Sequence, residues 1–186
     1  MEEPHYLKYL AGGYDKDAVL RELMTDYGED VWNFAYFLTR RREAADDLSQ
    51  EVFLSVYNRL HTFRGDCTVK SWSLTVTRNK SLNYLRNAFI RKVTLVEYVV
   101  RKEGVRSAEA ELFDRMETRR IWSLVMKLPR KYREVLLMDA HYQLGMREMA
   151  AMLEVTEGTV KSRLHRARRK LSAMLESDRC EGGHGL

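Results

Sequence analysis

Apolar residues along this 186-residue chain recur mostly at three- and four-residue intervals, the period of an amphipathic helix, and strand-like alternation is scarce. Only two prolines and ten glycines interrupt the pattern. It predicts helices over about 15–27, 30–39, 42–60, 69–90, 108–128, 129–141, 146–153 and 157–176. Pro129 fits the first position of a helix, where its missing N–H costs little, and 62–67, with Gly65 and Asp66 together, has turn chemistry. The pattern reads as an all-α protein.

The segment 146–171 carries the sharpest local signal. Met146, Met149, Ala150 and Leu153 lie at helical spacing behind Gly145, which can cap them. Glu154, Val155 and Thr156 then form a short turn, with Thr156 placed to cap a second helix and Val155 and Val160 at the positions of a hydrophobic staple. At about 100° per residue, Val160, Leu164, Ala167 and Leu171 fall within roughly 60° of one another, and Lys161, Arg163, Arg166, Arg168, Arg169 and Lys170 spread around the rest. This is the form of a helix-turn-helix, whose second helix enters the major groove with its first residues at base edges and its cations on phosphates. Residues 157–161 would sit deepest. A basic helix face alone would suit a solvated surface, a membrane or calmodulin equally well; the preceding helix and the tight turn favour DNA.

Composition narrows the class further. With 32% charged and 45% hydrophobic residues, the chain reads as globular rather than disordered. It has no run of about 18 apolar residues and no basic start followed by an apolar stretch, so neither a membrane span nor a secretory signal is expected, and the cytoplasm is the expected location. Cys67 and Cys180 are far apart and flanked by polar residues, which suggests two thiols rather than a disulfide, and Cys180 with His184 would make a poor metal site. No metal or cofactor is expected. Net charge is only +5, but it is unevenly placed: Glu2, Glu3, Asp15, Asp17, Glu22, Asp26, Glu29 and Asp30 make the N-terminal end acidic. Arg64, Lys70, Arg78, Lys80, Arg86, Arg91 and Lys92 then form a second cationic stretch against Asp66 alone.

Between these stretches, Asp47, Gln50, Glu51 and Leu54 occupy i, i+3, i+4 and i+7 of one predicted helix, a continuous strip. Acidic residues near a helix start also simply complement its dipole. Yet the strip is followed by Phe63-Arg64-Gly65-Asp66 and then by a basic helix with aromatic residues. From 91 to 107 the helical pattern breaks into a β-prone run (Val93, Leu95, Val96, Val99, Val100) and charged residues around Gly104. That stretch reads as a linker between two small helical domains.

These residues closely resemble the extracytoplasmic-function class of bacterial sigma factors, of the sigma-70 family. The resemblance is carried by D-x-x-Q-E-x-F (Asp47, Gln50, Glu51, Phe53), F-R-G-D (63–66), S-W and R-N (Ser71, Trp72, Arg78, Asn79), L-P-x-x-x-R-E-V (128–135) and G-T-V-K-S-R-L-x-R-A-R (158–168), in the family's order. It implies an N-terminal extension (1–14), a region-two domain (15–90), the linker (91–112), a region-four domain (113–176) and a C-terminal tail (177–186). It further implies that Asp47, Gln50, Glu51 and Leu54 bind the clamp helices of the largest subunit of core RNA polymerase. Phe63, Arg64, Gly65, Asp66, Lys70, Trp72, Val76, Asn79, Lys80, Asn83 and Arg86 would melt and hold the promoter's "minus ten" element, an unstacked base lying between loop and helix. Glu157, Gly158, Thr159, Lys161, Ser162, Arg163, Arg166, Arg168 and Arg169 would read the duplex "minus thirty-five" element while the same domain touches the polymerase flap. The family is commonly held inactive by a cognate anti-sigma factor. This chain departs from the common pattern at Val69, Ser73 and Asn83, which bears on packing and promoter preference, and its linker is basic where the family's is often acidic.

No Walker, H-E-x-x-H or G-x-S-x-G motif suggests catalysis, and Asp46 and Asp47 point in adjacent helix directions rather than into one site. A non-catalytic specificity subunit is therefore expected. The alternative is a stand-alone helix-turn-helix regulator, which would footprint a palindrome without polymerase.

Overall fold

A computed structural model of the chain describes residues 15–94 and 116–182. These form seven α-helices and no strand among the described residues, and the chain divides between Lys92 and Val93 into two compact units.

The first unit opens with α1 (Lys16–Thr39), capped by Asp15, whose carboxylate accepts the Asp17 N–H at 2.9 Å. The sequence pattern predicts a break near Gly28, but α1 runs straight through it. A glycine costs a helix interior about 1 kcal/mol relative to alanine. Burying Leu23 and Val31 on either side of it contributes about 1.5–3 kcal/mol each, so tertiary packing wins. Residues 33–39 are all buried, the polar Asn33 and Thr39 among them, so the last two turns of the helix are enclosed on every side. Arg40 ends it in the left-handed region (φ 59°), its N–H on the Tyr36 carbonyl at 2.7 Å.

That tight link folds α2 (Arg42–Arg59) back along α1. Trp32 latches the pair: its indole N–H donates to Asp46 at 2.7 Å, its ring stacks on Tyr36, and the Arg42 guanidinium lies over it. Asp17 accepts a hydrogen bond from the Tyr57 phenol, and that bond together with the Asp17 charge pushes the phenol's pKa up. A 3-10 turn (Leu60–Thr62) follows, and Thr68 caps α3 (Val69–Thr94) through the Ser71 N–H at 3.1 Å. Helix α3 extends four residues past the predicted 90. The core gathers Val19, Leu23 and Val31 of α1, Val52, Phe53 and Val56 of α2, and Leu60 and Val69.

The second unit contains α4 (Met116–Lys127), α5 (Arg130–Leu136), α6 (Met146–Leu153) and α7 (Glu157–Gly182). Pro129 stands one place before its predicted position, as the N-cap of α5, and its carbonyl accepts the Tyr132 and Arg133 N–H groups. Helix α5 widens at Leu137–His141 into a π-helical turn, with the Tyr142 N–H on the Leu137 carbonyl at 3.0 Å. Arg133 is buried, and its Nη1 donates to the Met126 and Leu128 carbonyls at 3.1 and 3.2 Å. The guanidinium thereby closes the C-terminal end of α4, where carbonyls lack helical partners. Leu124, Val135, Leu137, Met138, Met149, Val160, Leu164 and Ala167 form the buried interior.

The expected N-terminal extension (1–14), most of the linker (95–112), the start of the helix predicted from 108, and His184 lie outside the described residues. The same holds for the side chain of Cys180. Residues 91–94 are helical, as are 177–182 of the expected tail.

Candidate nucleic-acid interface

In the second unit the helix-turn-helix is built by local chemistry. The N–H of Gly145 is taken by the Glu148 carboxylate at 3.0 Å, and the Gly145 carbonyl receives the Met149 N–H. Helix α6 ends on Glu154 at φ 56°; the Glu154 N–H reaches the Ala151 carbonyl and the Val155 N–H the Ala150 carbonyl, closing a Schellman-type turn. Thr156 caps α7 as its sequence position predicts, its hydroxyl oxygen 3.2 Å from the Thr159 N–H.

Val160, Leu164 and Ala167 are fully buried on one side of α7. Measured from Val160 at about 100° per residue, Gly158, Lys161, Ser162, His165, Arg166 and Arg169 fall on the opposite arc, and all are exposed. The remaining candidates sit elsewhere. Arg163 is half-buried on one flank, while Arg168 lies on the other with its guanidinium 2.7 Å from Asp139. Glu157 faces Arg147 at 3.6 Å. The Thr159 hydroxyl is 3.0 Å from that of Thr156, and Ser162 donates to the Thr159 carbonyl. His165 fills the unspecified position of the 158–168 string, yet it occupies the centre of the outward arc, four residues from both Lys161 and Arg169. The helical arithmetic that identifies the buried stripe would have found it.

In the first unit Asp47, Gln50, Glu51 and Leu54 are all exposed on α2, and Leu54 keeps 61% of its surface. Phe63 follows the 3-10 turn with its N–H on the Leu60 carbonyl, and its ring lies 5.1 Å from that of Trp72. Arg64, Gly65 and Asp66 are exposed, and Gly65 takes φ 77° with open space around it. Glycine is needed there for backbone conformation, not for room.

Along α3, Trp72, Val76, Asn79, Lys80, Asn83 and Arg86 span an arc of about 120°. Asn79, Asn83 and Arg86 are exposed, with Arg86 donating to the Asn83 side-chain oxygen at 3.3 Å. Phe63, Trp72 and Val76 are half-buried against the core, so each also serves packing. Lys70 leaves the arc by about 120° from Val76 and pairs with Asp30 at 2.9 Å. Lys80 pairs with Glu51 at 3.2 Å. Both pairings join residues far apart in sequence. Among the described residues there is no cluster of three His, Cys, Asp or Glu side chains fit to hold a metal, and no helix is long and apolar enough to cross a membrane.

Residues 23–88 match the sigma-70 region 2 family and residues 118–171 the sigma-70, region 4 family. The chain is 30% identical over 154 residues to the ECF RNA polymerase sigma factor SigM of Mycobacterium tuberculosis, covering 83% of this chain and 76% of the relative. With the ECF RNA polymerase sigma factor SigM of Bacillus subtilis it shares 27% identity over 153 residues, covering 82% and 93%. In fold it is similar to the sigma factor RpoE of Bartonella quintana, crystallised with the anti-sigma factor NepR, at a TM-score of 0.73 and 20% identity over 88% of this chain and 99% of that one.

Proposed function

Because this chain belongs to the extracytoplasmic-function sigma factors, the alternative sigma subunits that direct promoter-specific initiation by RNA polymerase, we propose that its two helical units divide promoter recognition between them. Residues 15–90 act as the unit that docks on core enzyme and opens the minus-ten element. Residues 113–176 read the minus-thirty-five duplex and touch the polymerase flap, with 91–112 as the connection and 1–14 and 177–186 as flanking segments.

The outward arc of α7 carries this reading. Its opposite face is buried, it begins at a capped turn, and it presents Lys161, Ser162, His165, Arg166 and Arg169 together. Glu157, Gly158 and Thr159 at the helix start are the residues a major groove would receive deepest. Arg163 and Arg168 on the flanks face phosphates. In the first unit, Asp47, Gln50, Glu51 and Leu54 offer a polymerase helix pair carboxylates, an amide and one apolar anchor. Phe63 and Trp72 offer an unstacked base a partly exposed aromatic surface, with Val76 beside it. The amides of Asn79 and Asn83 read its edge, Arg64, Lys70, Lys80 and Arg86 hold phosphates, and Gly65 and Asp66 shape the loop.

In this reading the chain performs no chemistry of its own. Polymerase carries out nucleotide transfer, and the protein works in the cytoplasm, restrained by an anti-sigma partner of the kind seen bound to the Bartonella protein. Run-off transcription with core polymerase over a genomic library tests the proposal: transcripts from a shared asymmetric promoter are expected. A palindromic footprint formed without polymerase would instead favour the stand-alone regulator.

A further inference from the structure

The α2 strip and the α3 arc share one ion pair. The Lys80 ammonium lies 3.2 Å from the Glu51 carboxylate, with 26% of the lysine side chain and 59% of the glutamate side chain exposed. Glu51 stands one residue from Gln50 and one helical turn from Asp47 and Leu54. Lys80 stands one turn from Val76 and Asn83. Either partner can therefore be claimed from outside, by polymerase on one side or by a nucleic-acid phosphate on the other.

We infer that the Glu51–Lys80 pair links core docking to single-strand binding. This rests on the two surfaces assigned above. In the free chain, a ligand that takes over either residue displaces its partner; once one ligand has done so, the second meets a group already freed. Polymerase that engages Glu51 releases Lys80 to the strand, and a strand that engages Lys80 releases Glu51 to polymerase. The favour is equal in both directions by thermodynamic necessity. Because the pair is solvent-exposed, its size is that of a surface ion pair, about two- to fivefold in affinity.

The test is a double-mutant cycle on the full chain with Glu51→Gln, Lys80→Gln and both together. Core polymerase affinity is measured with and without an oligodeoxythymidine 15-mer, and oligodeoxythymidine affinity is measured for the chain alone and for its complex with core polymerase. Lys80→Gln is expected to tighten core binding about two- to fivefold, and Glu51→Gln to tighten oligodeoxythymidine binding by the free chain by a similar factor. The mutual tightening of the two ligands should fall by that same factor in each single variant and no further in the double variant. If Glu51→Gln leaves core affinity unchanged, or Lys80→Gln leaves strand affinity of the polymerase complex unchanged, the surface assignment fails and the linkage with it. If both losses occur but neither cross-effect does, the surfaces stand and the linkage alone is overturned.

Discussion

Glu154 holds a left-handed backbone at φ 56° between the two helices of the DNA-reading motif, a conformation that costs a residue with a side chain about 1–2 kcal/mol. The turn closes all the same because two backbone hydrogen bonds, to Ala150 and Ala151, satisfy the end of α6. Glu154→Gly is therefore expected to stabilise the protein by about 0.5–1 kcal/mol, seen as a higher urea midpoint at unchanged slope. The cations of α7 divide on similar local grounds. Arg166 is exposed on the outward arc, and Arg166→Ala should flatten the dependence of log affinity on log salt for the minus-thirty-five duplex by about 0.9. Arg168 already pairs with Asp139 at 2.7 Å, so Arg168→Ala should flatten it less. Asp139→Asn should tighten duplex binding. Fluorescence anisotropy across a salt series separates the three, and equal slopes for the two arginine variants would contradict the role given to Asp139.

Among elements, one buried side chain ties α4 to α5. Arg133, buried, donates to two carbonyls at the end of α4. Arg133→Met keeps most of the volume and removes both donors, and a buried acceptor left without its charged partner costs about 1–3 kcal/mol. A destabilisation of about 2–4 kcal/mol is expected for the pair of bonds, read from urea unfolding, with Arg133→Lys recovering part of it. The sequence shows this arginine inside the L-P-x-x-x-R-E-V string but not its partners. Helices, the Thr156 cap, the short turn and the buried stripe of α7 are encoded by neighbours within one or two turns, so spacing alone reveals them. Gly28 misleads because its local cost is small beside the burial of Leu23 and Val31. The pairing of Lys80 with Glu51, or of Arg168 with Asp139, each 29 residues apart, depends on how helices pack, and no periodicity records it. The same holds for the double duty of Phe63, Trp72 and Val76, which the family resemblance names as strand contacts and the fold places against the core.

At the scale of the whole molecule, one chain that reads two DNA elements, as proposed, does so through surfaces on two units that follow one another along the polypeptide. DNA turns once in about 10–10.5 base pairs, so five extra base pairs between the elements rotate one of them to the far side of the duplex relative to the other. A chain that reads both cannot then meet both without distorting the intervening DNA or giving up contacts at one element. Losing even one well-read base pair costs about 1–3 kcal/mol, and whole-element loss costs more. Run-off transcription from a promoter lengthened by five base pairs should therefore fall by at least about tenfold, the equivalent of a 1.4 kcal/mol loss. A regulator using the helix-turn-helix alone would tolerate that insertion, because nothing in it depends on the upstream and downstream elements facing the same way. Initiation that persisted undiminished across such a spacer series would mean that only one of the two units reads sequence.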